Sequence, residues 1–244
     1  MSKSILILGA RSDIARACAQ HYAAEGYAVR LAARDIAPLE VDATDLHLRH
    51  RVAATTHRFD ALDTAKFAAF IDGLPELPDV VLCAVGTMGD QSESQSNPEA
   101  AAIVLRSNFE GPALFLGMMA ERFETRGSGV VIGISSVAGD RGRASNYVYG
   151  AAKAGFTAFL SGLRNRFSRS AIKVITVKPG FVATKMTDGM DLNPRLTAQP
   201  EAVANAIWRA QAKGRDVVYV KPIWFVVMAI IRTLPERIFK KTKL

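Results

Sequence analysis

The sequence predicts an α/β fold, a single doubly wound parallel sheet of seven strands flanked by helices, and three observations carry the expectation. Short β-branched and apolar runs alternate with longer stretches of helical period. The runs show little polar alternation, as strands covered on both faces require. No internal repeat, low-complexity tract or linker divides the 244 residues, and a 49% hydrophobic content supplies the core of one unit.

Taken in order, "SILIL" forms the first strand and runs into Gly9, where a helix over 14–25 begins. "AVRLAA" is the second strand, and "DLHLRHRVAATTH" holds a helix-to-strand transition that leads to the third, "THRF". A helix over 64–71 precedes "DVVLCAV", a long one over 99–125 precedes "GVVIGIS", and another over 146–169 precedes "IKVITV". A helix over 200–213 and the strand "DVVYV" complete the alternation. The stretch 183–200, "ATKMTDGMDLNPRLTAQP", is the longest irregular connection, a length typical of functional lids. Residues 1–221 are read as one domain and 222–244 as its apolar and basic tail.

Composition narrows the partners. Cys18 and Cys83 fall in helix and strand interiors without partners at metal spacing, which argues against a disulfide framework or zinc site and fits a cytoplasmic protein. "MSKS" leads straight into a short apolar strand, so no signal peptide is expected. A net charge of +8 suits anionic partners such as nucleotide phosphates or acidic lipid. It is scattered and lacks an aromatic platform, so nucleic acid is not expected. His47, His50 and His57 are read as solvated, because no acid or cysteine completes a ligand set around them; no metal is expected.

The loop "LILGARSDIARACA" is built like a phosphate-cradling turn that has kept one glycine. Gly9 sits where the tight turn needs it, while Asp13 and Ala15 stand where two more glycines are customary. Ala15 suits close helix-to-strand packing. Asp13 suits a helix amino terminus, where the dipole favours a carboxylate, leaving Ser12 and the Ile14 amide to face phosphates.

In "SSVAGDRGRASNYVYGAAKAG", Tyr149 and Lys153 lie four apart at a helix start and share a face. A neighbouring ammonium favours the phenolate, which makes Tyr149 a proton donor to a carbonyl and, in reverse, a base for an alcohol. Ser136 ends the strand before it, at the carboxyl edge where open parallel sheets bind ligands. Its hydroxyl is placed to polarise the same carbonyl oxygen.

These residues resemble the short-chain dehydrogenase/reductase superfamily, in which a serine precedes the catalytic tyrosine by thirteen positions. That spacing selects Ser136 and Tyr149, and only Tyr149 has a lysine four residues on. The resemblance implies a Rossmann-type fold and carries over Asn108 of "SNFEGP" as a catalytic asparagine whose backbone holds a water leading to Lys153. It carries over Pro179 and Gly180 of "VKPGFVATKM" as the turn over the nicotinamide, with Val182 and Thr184 contacting the carboxamide. Ala84 and Gly86 of "CAVG" keep the backbone close to the ribose, although Cys83 replaces a customary asparagine. Asp60 of "RFDALD" matches an adenine-binding aspartate with Ala61 stacking nearby, or else caps the next helix.

The end of the second strand bears on cofactor choice. Ala33 takes the position that usually carries an acid for the ribose of NAD, and Arg34 follows, as suits the extra phosphate of NADP. Arg11 converges on that phosphate, unless Asp35 neutralises Arg34. NADP(H) is therefore expected over NAD(H).

The tail "KPIWFVVMAIIRTLPERIFKKTKL" runs apolar from Ile223 to Ile231, short of the roughly 20 residues that span a bilayer. Arg232, Arg237, Lys240, Lys241 and Lys243 follow, as in an interfacial anchor at the inner face of a membrane; alternatively Trp224 and Phe225 pack in a dimer interface. With "GARSDIARA" and "CAVG", the tail resembles bacterial decaprenylphosphoryl 2-keto-ribose reductases. The implied activity is NADPH-dependent reduction of a ketone, lipid-linked or free and soluble (sugar, acyl or steroid). The competing class is a non-catalytic NADPH-binding regulator. The resemblance also implies a homodimer or homotetramer built on the long helices.

Overall fold

The computed structural model describes residues 2–242; Lys243, counted above among the basic residues of the tail, lies outside them. Ser4–Leu8 (β1) dictates the architecture, because its side chains alternate between two apolar layers. Ile5 and Ile7 join one, Leu6 and Leu8 the other, and all four are fully buried. A strand apolar on both faces needs helices on both faces.

Along the chain come α1 (Asp13–Ala24), β2 (Ala28–Ala33), α2 (Ala37–His50), β3 (Ala54–Arg58), α3 (Phe67–Asp72) and β4 (Val80–Cys83). Then follow α4 (Gln91–Ser96), α5 (Pro98–Leu105), α6 (Gly111–Arg126), β5 (Gly129–Ile134), α7 (Tyr147–Arg166) and β6 (Ile172–Pro179). The short strands β7 (Phe181–Val182) and β8 (Thr197–Ala198) precede α8 (Pro200–Ala212), β9 (Val217–Val220), α9 (Ile223–Thr233) and α10 (Glu236–Phe239). The main sheet has the order β3-β2-β1-β4-β5-β6-β9, all parallel, and α1, α2 and α8 cover one face while α3, α6 and α7 cover the other. The chain winds outward from β1 one way and from β4 the other. The cleft between their carboxyl ends is the switch point where such sheets take ligands.

Three elements depart from expectation. The helix expected over 99–125 is broken by a π-turn, Arg106–Glu110. Pro112 lacks an N–H, so the carbonyl of Asn108 loses the donor four residues on that a regular helix would supply. Asn108 is pinned by its own side chain, which donates to Thr87 O at 2.6 Å and Val104 O at 2.8 Å. The 183–200 loop is also less irregular than its composition suggests, since β7 and β8 pair at its base and a capping box between Thr184 and Thr187 orders its start. Lastly, the tail folds into α9, with Trp224, Met228 and Ile231 buried against Val137 in a third apolar cluster.

His47 is exposed, as expected, while His50 and His57 are partly buried. His47 bonds Val52 O, His50 bonds the Gln20 side chain, and His57 is half-buried against Phe70. No group of three His, Cys, Asp or Glu among the described residues could hold a metal. No helix among them is long and apolar enough to cross a membrane.

Candidate active site

A cavity of about 320 Å³ opens at the carboxyl ends of β1, β4, β5 and β6. Gly9 turns the chain at its floor with φ +74°, and a Cβ there would come within 2.8 Å of Val85 N, so both conformation and space require glycine. Ser12 caps α1, its hydroxyl accepting from Ala15 N at 3.1 Å. Asp13 occupies the first turn of α1 and lines the cavity, its carboxylate accepting from the backbone N–H of Lys185 at 2.9 Å. It fastens the 183–200 loop to the phosphate turn, and Ser12 and Ile14 line the cavity beside it.

Ser136 leaves β5 in extended conformation, and its Oγ accepts from Ala138 N at 3.1 Å. Tyr149 enters from the first turn of α7 and lines the same cavity wall as Ser136, whose hydroxyl is near enough to favour the phenolate. Lys153 follows one turn on, with Nζ 5.7 Å from the Tyr149 ring centre and donating to Ile134 O at 3.0 Å. The three residues selected by spacing therefore meet at one wall of the cavity.

Their electrostatics differ from expectation. Burial pushes the Tyr149 phenol above its ordinary range, opposed by the nearby Ser136 hydroxyl and by the positive charge of Arg143. Burial lowers Lys153 to about 8. Arg143, which the spacing argument did not single out, adds positive charge near the phenol, while Lys153 is buried and donates to a strand carbonyl.

Behind Lys153, Asn108 is fully buried, and its Oδ1 has no hydrogen-bond partner among the described residues. A Cβ on Gly86 would sit 2.6 Å from that oxygen and 3.4 Å from Lys153 Nζ, so the glycine keeps this space open. An orphaned acceptor beside an ammonium, in a cradle closed to any side chain, fits the polar ribose end of a dinucleotide.

A second groove continues from Gly9 past Ala84 and Gly86 to Asp60 and Ala61. Asp60 Oδ1 accepts from Leu62 N at 3.0 Å, so part of its carboxylate braces the loop, and Ala61 is buried against Gly111. Arg11 and Arg34 line this same groove, and Arg11 pairs with Asp35 at 2.9 Å, so that carboxylate is matched by Arg11 and not by Arg34. The parallel register sets Arg58 opposite Ala33, and Arg34 and Arg58 line one depression with no carboxylate within ion-pair distance among the described residues. Two unmatched cations at this end of the groove fit a phosphate. Arg58 was missed because only strand pairing brings it beside Arg34.

Pro179, Gly180, Val182 and Thr184 form the opposite wall. The Val182 carbonyl already accepts from Thr187 Oγ1 at 2.6 Å. A Cβ on Gly180 would strike the Trp224 indole at 2.0 Å, and that indole donates to Leu196 O at 3.0 Å. Trp224 therefore lines the cavity. Arg141 holds α9 in place by donating to Ile231 O at 2.7 Å and Leu234 O at 2.6 Å while pairing with Glu236 at 2.8 Å. Beneath the wall, Lys178 and Asp140 form a buried ion pair at 2.5 Å, and Tyr219 donates to the same carboxylate at 2.8 Å. This bridge ties the turn after Ser136 to the strand that ends at Pro179.

Comparison with known proteins agrees with this arrangement. The chain is 33% identical over 240 residues to an uncharacterized oxidoreductase of Mycobacterium tuberculosis, covering 97% of this chain and 96% of the other. It is 34% identical over 243 residues to an uncharacterized oxidoreductase of Streptomyces coelicolor, covering 98% and 95%. Among solved structures, its fold is like that of a short-chain dehydrogenase from Sphingobium yanoikuyae in complex with NADPH, with a TM-score of 0.82 and 21% identity over 96% of this chain and 97% of that one. It is similarly like a bulky-bulky ketone specific alcohol dehydrogenase from Comamonas testosteroni, with a TM-score of 0.80 and 20% identity over 96% and 95%. The family described as short chain dehydrogenase matches residues 3–194, and with these relatives it shows that the chain belongs to the short-chain dehydrogenase family.

Proposed function

We propose that this protein is an NADPH-dependent carbonyl reductase acting on ketones. The observation that carries the reading is the convergence of Ser136, Tyr149 and Lys153 on one wall of a cavity that the phosphate-type turn Arg11–Ile14 also lines. NADPH, when bound, supplies the hydride. Gly9, Ser12 and the Ile14 amide would hold its pyrophosphate, Arg34 and Arg58 the extra phosphate, Asp60 and Ala61 the adenine, and Lys153 the ribose hydroxyls. Ala84 and Gly86 would border that ribose, with Val182 and Thr184 beside the carboxamide.

Ser136 donates a hydrogen bond to the substrate carbonyl oxygen and holds it against Tyr149. Tyr149 delivers the phenolic proton to that oxygen as it gains negative charge; its raised pKa keeps the phenol protonated until then. Lys153 and Asn108 lie behind it as the route of proton resupply. The aromatic and methionine side chains around the cavity exclude water.

The test is NADPH consumption with a panel of ketones, using Tyr149→Phe as control. Turnover abolished by the substitution is expected. Tight NADPH binding with no turnover on any ketone would instead favour a regulatory role.

A narrower reading concerns the substrate's origin. Phe225, Val226 and Ile230 are 53–61% exposed on the outer face of α9, near Lys221, Lys240 and Lys241. We propose that this face touches an anionic inner-membrane surface, from which a lipid-linked keto sugar reaches the cavity. Co-sedimentation with phosphatidylglycerol vesicles should be lost in Phe225→Ser/Ile230→Ser; equal binding by both proteins would leave a free ketone. Truncating the tail is a poorer probe, since Trp224 lines the cavity. Exposed Ile103 and Leu114 on α5 and α6 support a homodimer or homotetramer, which light scattering would read directly.

A further inference from the structure

Arg143 lies in the turn between Ser136 and Tyr149 and lines the cavity on the substrate side. Its Nε is buried and has no hydrogen-bond partner, and no carboxylate pairs with its guanidinium among the described residues. It is close enough for its charge to act on the Tyr149 phenol. Three residues on, Asn146 also lines the cavity, and its buried Oδ1 has no hydrogen-bond partner among the described residues. The other arginines of this loop and tail region behave differently: Arg141 is fully used in capping α9.

A guanidinium that lines a cavity with no carboxylate beside it leaves its charge for a ligand, and its planar fork matches an oxyanion. Met88, Met186, Met190 and Trp224 give the same cavity its apolar share. Resting on the reductase reading above, we infer that Arg143 anchors an oxyanion, a carboxylate or a phosphate, carried by the ketone substrate. The anchored ketone then presents its carbonyl to Ser136 and Tyr149. The orphaned Asn146 oxygen accepts a hydroxyl next to the anion.

The test uses two pairs of ketones, each anion with its neutral partner: 4-oxo-4-phenylbutanoate against its methyl ester, and dihydroxyacetone phosphate against dihydroxyacetone. Calorimetric titration of the full chain loaded with NADP+ gives the anion-to-neutral affinity ratio, and NADPH consumption gives the corresponding KM ratio. Arg143→Gln should move the ratio roughly 10- to 100-fold toward the neutral compound, as loss of a charge-assisted hydrogen bond in a sheltered site requires. Arg143→Lys should recover part of it. A shift in only one pair identifies carboxylate or phosphate as the anchored group. An unchanged ratio in both pairs, or failure of both anions to bind the unsubstituted protein, overturns the inference. Should none of the four ketones consume NADPH while the binding ratio still shifts, the anchor stands and the reductase reading falls.

Discussion

The Asp13 carboxylate accepts the backbone N–H of Lys185 at 2.9 Å, joining residues 172 positions apart. The acid that looked out of place in a phosphate turn is a clasp on the loop that covers the cavity. Asp13→Ala should raise the KM for a ketone about fivefold, the worth of one partly exposed hydrogen bond to a charge, and leave the NADPH Kd within about twofold. Titration of cofactor and substrate separately checks this; a large loss of NADPH affinity alone would show that the carboxylate shapes the phosphate turn instead.

Tyr149→Phe should lower kcat by about 10³, within the range of general acid catalysis, with NADPH affinity retained. Steady-state rates and cofactor titration together separate a lost proton donor from a lost fold.

Arg34 and Arg58 should act on the phosphate that distinguishes the two cofactors. The double substitution Arg34→Ala/Arg58→Ala should cost at least roughly tenfold in kcat/KM with NADPH and little with NADH. Equal efficiency with both cofactors in the unsubstituted protein would remove the assignment.

Lys153, lowered to about 8 by burial against an ordinary 10.5, links stability to pH. Below about pH 8 the folded protein carries this charge at a desolvation cost; between about 8 and 10.5 the unfolded chain binds more protons, so this group's contribution rises with pH. Cys18 and Cys83, raised by burial to about 12 and 11, oppose it because they ionise only on unfolding. The clean observable is a difference. The stability advantage of cofactor-free Lys153→Met over the unsubstituted protein should shrink by on the order of 1.5 kcal/mol from pH 8 to 9.5, measured by urea unfolding.

The Lys178–Asp140 pair is buried on both sides, at 8% and 3% exposure. Lys178→Met leaves Asp140 without its cation and should cost about 3 kcal/mol, while Lys178→Met/Asp140→Leu should recover part of that. Denaturant midpoints of the two variants check both statements.

Much of this was legible along the chain. All seven main strands were readable because burial on both faces leaves short apolar runs, and each lies within a residue or two of its expected position. The 14–25, 146–169 and 200–213 helices were readable from their period. Ser136, Tyr149 and Lys153 could be placed because a strand end and one helical turn fix their relation locally. Cofactor and catalytic roles followed from the resemblance those residues carry.

What the sequence by itself determined are features set by a residue's near neighbours: the alternation of elements, the turn at Gly9, the shared face of Tyr149 and Lys153. The π-turn belongs to this class in principle, since Pro112 removes a donor four residues from Asn108, but a helical period alone does not reveal it. Only the tertiary structure decided the sheet order, the pairing of Arg11 with Asp35, the nearness of Arg58 to Arg34, the clasp from Asp13 to Lys185 and the seat of Trp224 over Gly180. Each of these joins segments far apart in the chain. Their contacts depend on strand register and on how loops return across the sheet, and those are settled by packing the whole core at once.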